Sequence, residues 1–355
     1  MLNDSLVRKF IMTFAAKGKR LAVTLTDDEK TALETLAKQL FVTFGAAKVR
    51  SMLVAICDSL VVNNTISGDT ETEILAWYDN WVANLTVPVR KHSFGLWPHV
   101  ADPRDFMLNP ARFAIGKVAD EIDNSKFNAK NQLALPWCYG NGAAGAYETL
   151  RQKLHGDLLD FSARYVSIMT KVQDGGYAEH EEGATMPALL KAMVKYGMVR
   201  EEDFPYPLST DTEDVIWQMP PDKVSAAALD NQLLKYYWIA PGPTAPLIVD
   251  QAIANGYDVL IGMQIREAWE SDDVAKTGII PANADAGEVI GGHLTRLNGK
   301  HRIDGQPYYQ DQNSWGDWGV KSPNGFYGHC YLPKSVLASG DVFALAVLTN
   351  EELGY

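Results

Sequence analysis

The chain has 355 residues, 46% of them hydrophobic and nine of them tryptophan, which is enough apolar material for one large core or two domains. A formal net charge of −12 argues against nucleic-acid binding, because neutralising phosphates needs a surplus of Lys and Arg. No apolar run reaches the ~18–20 residues of a membrane span, and three cysteines in this length favour synthesis in a reducing cytoplasm over a disulfide framework.

From the N-terminus, the first apolar stretch is broken by Arg8, Lys9 and Lys17, so no signal peptide is expected. Residues 1–90 carry ten basic and ten acidic residues, so the whole net charge falls on residues 91–355. The first of these segments reads as a separate helical unit. Thr26 to Glu29 forms a capping box before Leu33, Leu36, Ala37, Leu40, Phe41 and Phe44 at helical spacing, with Gly45 as a stop. A second helix is expected from about Ala46 to Val62, and a third from Thr70 through Trp77, Tyr78, Trp81 and Leu85 to a stop at Pro88. Lys91 to Pro110, rich in proline and aromatics, reads as a linker leading into the first strand of a second domain.

Within that second domain, Cys138 precedes a run of small residues in which Ala143, Tyr147, Leu150 and Leu154 recur at helical spacing, so it is expected to open a buried helix. A thiol there would feel the positive end of the helix dipole, which favours the reactive thiolate. His293, after Gly291 and Gly292, can take the thiol proton and return it to a leaving amine if another group fixes its ring. Asn313 is the candidate for that role. Gln132 supplies an amide donor that could join the Cys138 backbone N–H in holding an oxyanion. Residues 257–265 and 342–348 read as buried strands. Residues 294–298 and 308–312 are more polar than core strands, so they are expected to face solvent or a partner. His180 among Glu179, Glu181 and Glu182 looks like a metal cluster, but neighbouring residues of one acidic loop rarely converge on one ion, so no metal is expected. No cofactor is expected either.

Taken together, residues 96–350 resemble a papain-like cysteine peptidase. Cys138-Tyr139, Gln132 six residues upstream, the Ala144-Gly145-Ala146-Tyr147-Glu148 run and Asn313-Ser314-Trp315-Gly316 stand in the family's order. His293 follows Cys138 by 155 residues and Asn313 by 175, somewhat beyond the usual ~130–150. The resemblance implies an α+β fold of two lobes, one helical and one a β-barrel, behind an additional helical domain. It makes residues 91–355 the peptidase domain, acting on peptides or proteins. Cys138, His293, Asn313 and Gln132 would be catalytic, while Gly183, Gly262, Gly292 and Trp315 would border the substrate. Gly175-Gly176 competes with Gly183 for the place beside the substrate backbone.

Position 135 is Leu where secreted members usually carry a disulfide cysteine, and the family's inhibitory-helix pattern is not visible at residues 26–45. Residues 1–90 are therefore expected to dock onto partners more than to plug the cleft. That suits a component of a larger assembly such as a phage tail or virion. Two other readings stay open: a structural protein of such an assembly that keeps the fold with little activity, and a cell-wall amidopeptidase.

Overall fold

A computed structural model describes residues 92–99, 106–112, 118–180, 182–282 and 285–351, together with five isolated helical positions between 54 and 79. The chain divides into two units, Met1–Arg90 and Lys91–Tyr355. The three helices expected before Pro88 lie outside the described residues, those five positions excepted.

In the second unit, strands β1 (Leu96–Trp97) and β2 (Ile122–Asp123) precede helix α1 (Cys138–His155). Helix α2 (Ala163–Asp174), strand β3 (Ala184–Thr185) and helix α3 (Met186–Tyr196) follow. Two short helices come next, α4 (Glu213–Ile216) and α5 (Asp222–Ala228). The rest is mainly sheet: β4 (Lys235–Trp238), helix α6 (Ala245–Ala254), β5 (Val259–Arg266), helix α7 (Asp272–Thr277), β6 (Val289–Ile303), β7 (Gln306–Gln312), β8 (His329–Pro333) and β9 (Val342–Thr349).

Every residue of α1 from Cys138 to Leu150 is buried, so this helix must be covered on all sides. Its glycines set how closely the cover approaches. A Cβ on Gly142 would lie 2.3 Å from the Leu294 side chain, and one on Gly145 would lie 2.8 Å from the Arg296 guanidinium. Glycine in a helix interior costs about 1 kcal/mol against alanine, and here that cost admits β6 against the helix. Ser162 caps α2 by accepting the Tyr165 N–H, and Thr185 caps α3 by accepting the Ala188 N–H, with Pro187 in the first turn. Helices α1, α2 and α3 make the helical lobe.

The second lobe is an antiparallel sheet in the order β4-β9-β5-β6-β7-β8, with β2 also paired to β6. Strands β5 and β9 are nearly continuous apolar runs buried on both faces. The architecture is thus α+β, a helical lobe and a large antiparallel sheet.

The polar strands correct the sequence expectation. Residues 294–298 and 309–312 face neither solvent nor a partner; they are buried. Arg296 pairs with Asp258 and bonds Thr149 and Gln312, while Gln310 donates to Asp123, Ser125 and Asn298. The strands tolerate polar side chains because those side chains satisfy one another across the lobe.

Candidate active site

Cys138 is the first residue of α1 and is fully buried. The preceding Trp137 offers no side-chain cap, so the first-turn N–H groups are left for other acceptors. Backbone N–H groups of Leu294, Gly95, Tyr139 and Cys138 itself interact with the sulfur, yet burial outweighs them and pushes the thiol up to about 11.

Leu294, whose N–H meets the sulfur, is the neighbour of His293 on β6. The His293 ring is fixed from the other side: its Nε2 lies 2.8 Å from Asn313 Oδ1. An amide oxygen can only accept, so Nε2 carries the proton and Nδ1 presents a lone pair. That Nδ1 is buried with no hydrogen-bond partner. Buried polar atoms are rarely left so, and an unmet acceptor is what a base needs before it takes a proton. Burial holds His293 down to about 4; the Asn313 bond opposes this and the nearby His92 adds to it. Trp315, Phe94 and Trp269 surround the ring at centroid distances of 5.2, 5.8 and 6.3 Å.

Gln132 is held at both ends of its amide. Its Oε1 accepts from the Ser314 hydroxyl at 2.7 Å, which turns Nε2 outward to donate to the carbonyls of Ser93 and Leu135, both at 2.8 Å. Ser314 follows Asn313, so one short loop after β7 orients both the histidine and the glutamine.

Residues 92–97 cross this site. His92 stacks on Trp315, Ser93 gives its carbonyl to Gln132, and the Gly95 N–H meets the Cys138 sulfur. The Gly95 carbonyl accepts the Ala184 N–H at 2.8 Å, and Leu96 and Trp97 pair in parallel with β3. The fit is close: a Cβ on Gly292 would lie 1.9 Å from the Leu96 carbonyl, and one on Gly262 would lie 2.7 Å from the Leu96 side chain. The stretch expected to be a linker is therefore packed into the cleft.

No family model matches the chain. A curated protein of Acanthamoeba polyphaga mimivirus, named an uncharacterized peptidase C1-like protein, L477, is 26% identical over 210 residues, which are 57% of this chain and 63% of that protein. The chain thus spans less than two thirds of the length of this relative. Among solved structures, xylellain, a cysteine protease from Xylella fastidiosa, matches with a TM-score of 0.62 and 19% identity over 75% of this chain and all of its own. Digestive procathepsin L 3 of Tenebrio molitor larval midgut matches with a TM-score of 0.54 and 15% identity, over 98% of this chain and 99% of its own.

The fold is that of the papain-like cysteine proteases.

On this papain-like frame, the structure brings Cys138, His293, Asn313 and Gln132 to one cleft, with Trp315 beside the histidine. Gly262 and Gly292 both meet Leu96. Gly183 lies against the Trp97 indole, 2.6 Å from the place of a Cβ, but its carbonyl is occupied by Lys171 Nζ at 2.8 Å. The backbone donor reaching the cleft segment belongs to its neighbour Ala184. Gly175 instead ends α2 in the left-handed region, at φ 87°. His180 pairs with Glu213 at 2.9 Å and stacks on Trp217, and no metal-binding group is found among the described residues. No helix among them is long and apolar enough to cross a membrane.

Sequence reading missed three contributors. Ser314 was visible inside Asn-Ser-Trp-Gly, but its contact with Gln132 spans 182 positions. Lys171 belongs to no motif, yet it is fully buried behind Gly183. Residues 92–97 carried no motif; only tertiary contacts reveal their place.

Proposed function

We propose that the chain is a thiol hydrolase of peptide bonds, working through Cys138, His293, Asn313 and Gln132. The observation that carries this is the His293 ring, tethered by Asn313 at Nε2 and open at Nδ1, next to Leu294, whose side chain packs on Gly142 of the helix that Cys138 opens. His293 takes the thiol proton as the sulfur attacks the carbonyl carbon. The carbonyl oxygen gains negative charge facing Gln132 Nε2 and the Cys138 N–H. The C–N bond then breaks, the amine leaves with the proton from His293, and water hydrolyses the thioester to return the thiol.

Residues 92–97 hold this site latent. His293 must reach the leaving nitrogen, so a substrate's leaving half lies toward Trp315 and its acyl half toward Ala184 and Gly262. Residues 92 to 97 run from Trp315 to Ala184, against that direction. Their carbonyl groups are therefore presented in reverse and occupy the oxyanion donor without being cleaved. Leu96 stands where an acyl-side apolar side chain would fit, between Gly262 and Gly292. Burial under this segment also keeps Cys138 and His293 neutral, so uncovering them favours the thiolate–imidazolium pair.

Residues 1–90 deliver the covering segment or dock a partner. The viral source of the 26% identical relative favours an assembly such as a virion for such docking.

The test is labelling with an epoxide inhibitor of papain-family enzymes, on the full-length protein and on Leu96→Asp. Modification mapped to Cys138, faster in the variant, supports the reading. Modification at Cys57 or Cys330, or none in either protein, would refute it.

A further inference from the structure

The His92 imidazole lies flat on Trp315, with ring centroids 3.8 Å apart and planes within 4° of parallel. Its backbone N–H donates to Glu270 Oε1 at 2.9 Å, and its Nδ1 stands 3.6 Å from the same oxygen. Glu270 ends a 3-10 turn, Glu267–Glu270, and its side chain is only 12% exposed. Trp315 is itself buried, its indole N–H has no hydrogen-bond partner, and Trp269 and Trp318 brace it edge-on. A planar nitrogen-bearing group thus sits against both a tryptophan face and a carboxylate.

The stretch that carries Glu270 is acidic. Residues 266–288 hold six acidic side chains against two basic ones, and one of the two, Arg266, is committed to Asp341. A cation entering this end of the cleft is attracted before contact. A guanidinium matches the place of the imidazole in three ways: it is planar, it stacks on indole, and its N–H fork pairs with a carboxylate. An ammonium offers the charge without the stack.

We propose that Trp315 and Glu270 form a subsite that selects a cationic side chain, arginine above lysine, on the leaving-group side of the scissile bond. This rests on the peptidase reading above, which places that side next to His293 and Trp315. His92 occupies the subsite in the covered state, and a substrate's arginine replaces it.

The test uses full-length protein opened by Leu96→Asp, and quenched fluorogenic peptides identical except for Arg, Lys, Ala or Glu at the first and second positions after the scissile bond. This opened parent should show kcat/KM for Arg above Ala by about fivefold to tenfold, the size of one partly buried ion pair, with Glu lowest. Glu270→Gln should bring the Arg-to-Ala ratio to within about twofold, and Glu270→Lys should invert the order of Arg and Glu. An unchanged ratio in Glu270→Gln overturns the proposal, including when all rates fall together. So does an opened parent with no preference.

If no peptide in the series is hydrolysed, the peptidase reading fails, and the subsite is judged by binding alone. The measurement is then fluorescence anisotropy of the Arg and Glu peptides on full-length protein carrying Cys138→Ala and His92→Ala. Tighter Arg binding that Glu270→Gln cancels upholds the subsite. Equal affinities overturn it.

Discussion

Gln132 Nε2 donates to the Ser93 carbonyl at 2.8 Å, so the amide proposed to receive a substrate oxyanion is already engaged by the chain's own backbone. The same bond links how the site would act with how it is kept still.

In the opened Leu96→Asp protein, replacing Cys138 by serine should abolish hydrolysis, with a loss on the order of 10³-fold or more, because a hydroxyl does not yield a ready anion to His293. The thermal midpoint should stay within a few degrees of that parent, since the change is nearly isosteric. Retained peptidase activity in purified Cys138→Ser protein would show that another group is the nucleophile.

Gln132→Ala should lower kcat by about 10²–10³-fold once the cleft is open, the usual effect of losing one oxyanion donor. Asn313→Ala should cost about 10²-fold through misplacement of the His293 ring. Steady-state kinetics in the Leu96→Asp background checks both. Rates equal to the parent would remove these residues from the mechanism.

Leu96→Asp places a charge in an apolar pocket lined by Gly262 and Phe343, a burial the chain avoids by releasing the segment. Alkylation of Cys138 by iodoacetamide should then speed up by about tenfold or more, because a buried thiol becomes an accessible one. Its pH profile should change as well. Under cover, burial pushes Cys138 up to about 11, so wild-type labelling should climb only at strongly alkaline pH. Uncovered, the coupled pair should give labelling at neutral pH and a bell-shaped kcat/KM. Identical profiles for the two proteins would show that residues 92–97 are not the cover.

His329 is held neutral inside the polar part of the sheet, down to about 4, by burial and then by the charge of Arg296. A histidine whose folded pKa lies below its unfolded value takes up its proton more readily when unfolded. Its stabilising contribution is therefore complete above about pH 6.5 and is lost as pH falls toward 4, at no more than ~1.4 kcal/mol per pH unit. Asp311, pushed up to about 7 by burial, acts in the opposite sense over this range, so the comparison must be between proteins. Urea unfolding at pH 7 and pH 5 should show a smaller acid loss for His329→Gln than for wild type. Equal losses would mean that His329 does not titrate with unfolding.

The amino-acid sequence alone determined which chemical groups this protein has for its site, because they sit in short local patterns. His293 after two glycines and Asn313 within Asn-Ser-Trp-Gly are picked out by their order along the chain and its resemblance to a family, while small residues at helical spacing after Cys138 predict a buried helix. The strands at residues 259–266 and 342–349 were legible for the same reason, being apolar runs of strand length. What faces what was not legible. The polarity of residues 294–298 suggested exposure, and only the approach of Asp258, Thr149 and Gln312 made burial affordable for Arg296. Residues 92–97 looked like a linker because nothing local distinguishes a connecting strand from one packed into a cleft. Their role depends on contacts with Gln132, Ala184, Gly292 and Trp315, the farthest of them more than 220 positions along the chain. Contacts at that separation leave no periodic trace in sequence, so the covering of the site was decided by the tertiary structure.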